Sequence, residues 1–425
     1  MHVAPHGDRV GSMNFLPRFV RSAAAACCVL LVLGCCDSGR ASSEDAPAIL
    51  SVPVREPLVA VASPPAREPA PALAPTASPA QAQAQAPAPA TAPVFTPRSI
   101  SSGSQASLIP LAPDSLRRPS FRQSGGPRLI AIGDLHGDLS ATRNALQLAG
   151  VMNDEDHWIG GTTLVVQTGD QLDRGDGESA ILDLLDRLIL EARAAGGAVY
   201  VLNGNHETMN ASLDFRYVTD GGYEDFARVL GFKEVTGEGG KAARAEAFTP
   251  GGVYARRLAN RNVMMIVGDS IFVHGGVTPE IVVHGIQLLN MQTANWLMGR
   301  RDRPALIGAR EGPVWIRKYS DDEQLDCDLL QKTIEMLGLK RMVVGHTVQS
   351  QINCACDGKV WRIDVGMAAA YEGPIQVMEI TPDEIRVLRR GEDPLLYTTD
   401  GVTVTASQES GVSQSPLVVS PFSGQ

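Results

Sequence analysis

An α/β fold is predicted, a sheet of parallel strands with helices between them. Three observations predict it. Apolar runs of strand length alternate with amphipathic runs of helix length, most apolar runs close on glycine, and the alternation holds from Pro127 to about residue 390.

Residues 129–132, Leu-Ile-Ala-Ile, form the first strand, since four apolar residues in a row before a glycine fit a strand buried on both faces. A helix follows over 140–149, then a second strand over 162–167. In 178–195, Ile181, Leu182, Leu184, Leu185 and Leu188 share one helical face. A third strand covers 198–202. After Gly204 the order loosens until two short strands, 263–267 and 270–273, joined by Gly268-Asp269. A helix over 324–337, strands at 341–344 and 359–363, and a hairpin of 375–380 with 384–388 complete the alternation. Met264, Met265 and Met291 are read as core filling.

The 425 residues could hold two or three domains, but the composition is uneven. One catalytic domain over 127–390 is predicted, with 391–425 a tail of no assignable structure. Residues 1–35 read as an export signal: Arg18 and Arg21 precede the apolar stretch 23–33, too short to span a bilayer comfortably. It closes on Val32-Leu33-Gly34-Cys35, which resembles the lipobox of bacterial lipoproteins. That resemblance implies cleavage before Cys35 and a lipid anchor on the periplasmic side of a bacterial envelope. A plain secretory signal and an uncleaved anchor are the alternatives. Residues 36–126, rich in Ala and Pro, have too little apolar bulk to fold and read as a disordered tether. At about 3.1 Å per residue its Ala- and Pro-dominated part, 46–97, would reach on the order of 150 Å. The net charge of -10 and the lack of basic clusters argue against nucleic acid as a partner.

Five motifs sit at predicted strand ends, where open α/β sheets bind their ligands. They are Gly133-Asp134-Leu135-His136-Gly137, Gly169-Asp170-Gln171-Leu172-Asp173-Arg174-Gly175, Gly204-Asn205-His206-Glu207, His274-Gly275-Gly276 and Gly345-His346-Thr347. Carboxylate, amide and imidazole donors together suit a borderline divalent metal such as Mn, Fe or Zn. Phosphate esters resist attack because their oxygens are anionic and neutral water is a poor nucleophile. Two cations about 3.5–4 Å apart relieve both difficulties. A shared carboxylate is needed to hold them so close, and Asp170 is the candidate. Asp134 and His136 would complete one metal; Asn205, His274 and His346 would complete the other. His206 would protonate the leaving oxygen, oriented by Asp173, and Arg174 would fork onto the phosphate.

In that order, GDLHG, GDQLDRG, GNHE, HGG and GHT resemble the calcineurin-like metallophosphoesterases, specifically the phosphoprotein phosphatases. Gly312-Pro313-Val314-Trp315-Ile316-Arg317 with Val344-Gly345-His346-Thr347 resembles the Shewanella-like branch of bacteria and plants. The resemblance covers about 127–390 and implies an αββα sandwich with a two-metal centre. It carries metal ligation to Asp134, His136, Asp170, Asn205, His274 and His346, catalysis to His206 and Asp173, and phosphate binding to Arg174 and Arg317. It implies a phosphomonoesterase acting on phosphorylated proteins or peptides, with phosphotyrosine favoured. The tyrosine-bearing motif of eukaryotic members is not recognisable. The rivals are a dinucleotide polyphosphate hydrolase or phosphodiesterase of the same superfamily, and a catalytically silent envelope-binding protein.

His157 and His284 lie outside the motifs and read as surface or packing residues. Cys356 and Arg362 have the spacing of cysteine-dependent phosphatases, but the residues between them read as a turn and a strand instead of a phosphate loop. In an exported protein Cys327 would pair with Cys354 or Cys356, and the sequence leaves that choice open.

Overall fold

The computed structural model describes residues 116–399, 401 and 403–404. The export signal, the lipobox-like site, nearly all of the tether and most of the tail lie outside the described residues.

In chain order the elements are β1 (Arg122–Gln123), β2 (Leu129–Ile132), α1 (Leu139–Leu148), β3 (Leu164–Gln167), α2 (Glu178–Ala194) and β4 (Ala198–Val201). Next come α3 (Asn205–Ala211), α4 (Asp220–Val229), α5 (Gly237–Phe248), α6 (Val253–Leu258), β5 (Met264–Val267) and β6 (Ser270–Val273). They are followed by α7 (Pro279–His284), α8 (Ile286–Leu297), α9 (Ala305–Gly308), α10 (Cys327–Leu337), β7 (Arg341–Val344), β8 (Asn353–Ala355) and β9 (Val360–Arg362). The chain closes with β10 (Gln376–Ile380), β11 (Glu384–Arg389), β12 (Glu392–Thr398) and β13 (Thr403–Val404).

Two mixed sheets result, in the orders β1-β5-β6-β7-β9-β8 and β13-β12-β11-β10-β2-β3-β4. The parallel sheet expected from the alternation is one trio in each. β2, β3 and β4 run parallel in register, Ile132 beside Gln167 and Gln167 beside Val201. β6, β7 and β9 do the same, Val273 beside Val344 and Val344 beside Arg362. Each trio therefore releases its three following loops side by side. The antiparallel strands come from the hairpin β10–β11 and from residues past Gly391, which add β12 and β13 to the same sheet.

Period-two alternation distributes the core. Met265, Phe272, Val343 and Trp361 turn toward the cluster holding Ile130, Val166 and Val377 of the other sheet and Leu185 of α2. Their neighbours Met264, Ile271, Met342 and Val360 turn the opposite way, to Phe226, Tyr254, Trp296 and Leu330 on the helices. With helices on the far sides of paired sheets, this is the four-layer arrangement the motifs imply. Met291, expected in the core, is 40% exposed on α8. The stretch after Gly204, expected to be loosely ordered, holds α3 to α6 instead. Those helices bury small residues such as Gly240, Ala243 and Ala247, so they show little apolar periodicity. Cys327 pairs with Cys356, and Cys354 stays free. Cys354 packs against the inter-sheet core, whereas Cys356 takes a left-handed φ of 53° and packs with the helical cluster that includes Leu329 and Leu330 of α10. Among the described residues no helix is long and apolar enough to cross a membrane.

Candidate metal centre and its proton donor

The loops after β2, β3 and β4 meet those after β6, β7 and β9, and every predicted ligand arrives at that meeting. Asp134, His136, Asp170, Asn205, His274 and His346 are all buried. Asp170 is the hub. Its Oδ2 lies 3.1 Å from His274 Nε2, 3.8 Å from His136 Nε2 and 3.8 Å from His206 Nε2. His274 Nε2 is also 2.8 Å from Asn205 Oδ1 and 3.2 Å from His346 Nδ1. Asp134 Oδ2 is 3.9 Å from His136 Nε2 and accepts the backbone N–H of His346 at 3.2 Å.

The loops are shaped for close approach. His136, Asp170, Asp173, Arg174 and His346 all take positive φ, between 44° and 68°, a region that side chains seldom occupy. A Cβ at Gly204 would fall 2.2 Å from Asp170 Oδ1, and one at Gly345 would fall 2.4 Å from Asp134 Oδ1. Glu207, in a motif but with no role foreseen, binds the loops together. Its carboxylate accepts the N–H groups of Asp170 and Gln171 at 2.8 Å, Leu172 at 3.2 Å and Gly204 at 2.6 Å.

These residues fit a divalent cation pair. Ligand atoms of Asp170, His274 and His346 lie within 4.8 Å of one another, as do those of His136, Asp170 and His206, so Asp170 is common to both groups. Among the described residues Asp134 Oδ1 is buried without a hydrogen bond. Burial, then Asp364 and Asp170, raise the Asp134 carboxyl well above its ordinary range. Carboxylates crowded in this way call for a cation. Burial, His206 and Arg174 hold the His136 imidazole down to about 3 against the attraction of Asp170, so the ring is neutral and free to coordinate.

His206 is built differently. Its Nδ1 donates to Asp173 Oδ2 at 2.6 Å, leaving Nε2 toward Asp170. Burial would lower its pKa, but Asp170 and Asp173 together hold it above the ordinary value. Arg174 Nε is buried with no acceptor among the described residues, and its guanidinium lies 4.4 Å from the ring centre of Tyr217 and 5.0 Å from that of Tyr371. Tyr217 also stands 5.2 Å from the His206 ring, and Tyr371 stands 5.3 Å from His136. Arg317 donates to His346 O at 3.1 Å and to Thr347 Oγ1 at 2.7 Å, while Glu311 pairs with Lys318. His157 is exposed beside Glu191, and His284 lies beside Gln292.

Asp364 was not anticipated. It follows β9 by two residues, as Asp134 follows β2 and His346 follows β7. Its Oδ2 is buried and receives no hydrogen bond among the described residues, and burial raises its carboxyl. Its position past a strand end was the signal available. Tyr217 and Tyr371 carried none.

A family model described as calcineurin-like phosphoesterase matches residues 127–350. Shewanella-like protein phosphatase 2 of Arabidopsis thaliana is 40% identical over 295 residues, covering 60% of this chain and 75% of that protein. Shewanella-like protein phosphatase 1 of Plasmodium berghei is 31% identical over 253 residues, covering 57% and 67%. A solved cold-active protein tyrosine phosphatase superposes with a TM-score of 0.57 at 21% identity, over 68% of this chain and 83% of that one. That from a psychrophilic Shewanella species gives 0.55 at 22%, over 69% and 84%. At such identities the superpositions speak for the fold.

Proposed function

The chain belongs to the calcineurin-like phosphoesterases, metal-dependent hydrolases of phosphate esters, and we propose that its substrates are phosphorylated proteins, phosphotyrosine before phosphoserine. The observation that carries this reading is the single carboxylate of Asp170 common to two groups of ligand atoms, with the His206–Asp173 pair beside them. Asp134, His136 and Asp170 would hold one cation; Asp170, Asn205, His274 and His346 would hold the other. Oxygen and nitrogen donors without thiolate favour Mn, Fe or Zn. Such a pair neutralises phosphoryl oxygens and lowers the pKa of bound water.

The chain's own groups do the rest. Arg174, stacked between Tyr217 and Tyr371, presents its guanidinium to two phosphoryl oxygens at once. Arg317, anchored on His346 O and Thr347 Oγ1, is read as the second phosphate contact. His206 carries a proton on Nε2 and gives it to the ester oxygen as that oxygen leaves phosphorus. Asp173 stays ionised and holds the other ring nitrogen. The two tyrosine rings supply an apolar wall against which a phosphorylated aromatic ring can stack, which supports the phosphotyrosine preference. Comparing turnover of phosphotyrosine and phosphoserine peptides tests it; equal rates remove the preference, and no metal-dependent hydrolysis of p-nitrophenyl phosphate removes the enzyme.

Export and lipid attachment at Cys35 are part of the same reading. The disulfide between Cys327 and Cys356 supports an oxidising compartment. Recovery of the Cys35→Ser protein in the membrane fraction, undiminished, would refute the anchor.

A further inference from the structure

We propose that Arg244 is a positioning residue for proton delivery, acting through Asp173 to fix the ring of His206 for the leaving oxygen. The proposal rests on the reading of His206 as the proton donor.

Arg244 lies on α5, in the stretch where the sequence offered no motif, and it is completely enclosed. A buried guanidinium is costly unless its five N–H groups find acceptors. All five do. Nη2 donates to Asp173 Oδ1 at 2.9 Å and to Glu178 Oε1 at 2.8 Å, and Nη1 donates to Glu178 Oε2 at 2.5 Å and to Gly222 O at 3.1 Å. Nε donates to Asn210 Oδ1 at 2.8 Å. The rings of Phe226, Phe248 and Phe215 stand 5.0, 5.3 and 5.9 Å from the guanidinium carbon and exclude water.

The consequence falls on Asp173. Its Oδ2 accepts from His206 Nδ1, while its Oδ1 accepts from both Arg244 Nη2 and Asn210 Nδ2 at 2.9 Å. Asn210 Nδ2 also donates to His206 O at 2.9 Å, and the Asp173 N–H is held by Glu178. The carboxylate cannot rotate, so its remaining oxygen stays on the imidazole. Remove Arg244, and Asp173 and Glu178 become two neighbouring enclosed acids with no cation between them. Asp173 Oδ1 then keeps only Asn210 as a donor and its carboxylate can turn away from the imidazole. In the reaction water adds to phosphorus as the bond from phosphorus to the ester oxygen breaks, the proton moves from His206 Nε2 to that oxygen, and the ring is reprotonated from solvent. Arg244 changes neither charge nor partner throughout.

Leaving-group dependence tests this. Metal-loaded full-length protein, wild type and R244M, is assayed on phenyl, p-nitrophenyl and 2,4-dinitrophenyl phosphate. A phenolate that needs its proton should suffer and one that departs without it should not. For R244M, kcat on phenyl phosphate should fall on the order of 10²-fold, on 2,4-dinitrophenyl phosphate no more than about threefold, with KM little changed and guanidinium ion restoring part of the loss. Equal loss across the three esters, or no loss, overturns the proposal in favour of a packing role. If thermal unfolding shows R244M unfolded, R244K carries the test. Its ammonium can stay beside Glu178 but cannot also reach Asp173 and Asn210, so the steeper dependence must appear there or the proposal fails. Wild type inactive on all three esters defeats the phosphatase reading and this proposal with it.

Discussion

His206 and His346 follow strands of different sheets, and both rings are enclosed, yet their surroundings move them in opposite directions. Burial, then Arg317 and His274, push His346 well below the ordinary imidazole value. Burial acts on His206 as well, but Asp170 and Asp173 outweigh it. The first ring is neutral and available to a metal; the second keeps a proton it can give away. Burial alone does not separate a ligand from an acid here. The charges opposite each ring do.

The contrast can be broken at several points. The largest effect is expected from Asp170→Asn, which removes the charge both metal positions share. Activity should vanish, and metal analysis should show the cations lost. His206→Ala should lower kcat by about 10²–10⁴-fold on esters with poor leaving groups while metal content stays at the wild-type level. If metal content falls instead, His206 is a ligand and the contrast is wrong. The pH profile sharpens it further. Because the acid must be protonated, kcat should decline on the alkaline side, through a midpoint above the usual 6.5. Asp173→Asn removes an attraction that raises that midpoint, so the decline should move to lower pH. Tyr217→Leu should lower the ratio of phosphotyrosine to phosphoserine turnover by roughly 2–10-fold, the worth of one aromatic contact. Cys356→Ser, outside the ligand and dyad residues, should leave kcat unchanged and cost about 3–4 kcal/mol in denaturant unfolding, given a sequence separation of 29.

The strands and the residues gathered at the candidate site were legible for one reason. Buried parallel strands are continuous apolar runs, and at the ends of these runs stand glycines with a carboxylate or an imidazole. Asp364 stands at the end of such a run too, but between Ile363 and Val365, with no glycine on either side to mark it. The helices after Gly204 were not legible, since α5 is packed through Gly240, Ala243 and Ala247 and its burial is decided by neighbours distant in sequence. Arg244 shares that difficulty, its partners Asp173 and Glu178 lying 71 and 66 residues away. The disulfide required the conformation of Cys356 at the end of β8, which residue spacing does not reveal.

The two metal positions differ in how much of the chain must be in place before they exist. Asp134, His136 and Asp170 leave consecutive strands of a single strand–helix–strand unit, β2–α1–β3. Asn205, His274 and His346 meet only when segments 69 and 72 residues apart have come together across both sheets. The first set comes from one early unit, with Asp170 tied down by Glu207 of α3, whereas the second set draws on both sheets. A cation held by Asn205, His274 and His346 would therefore report that the two sheets have closed on each other.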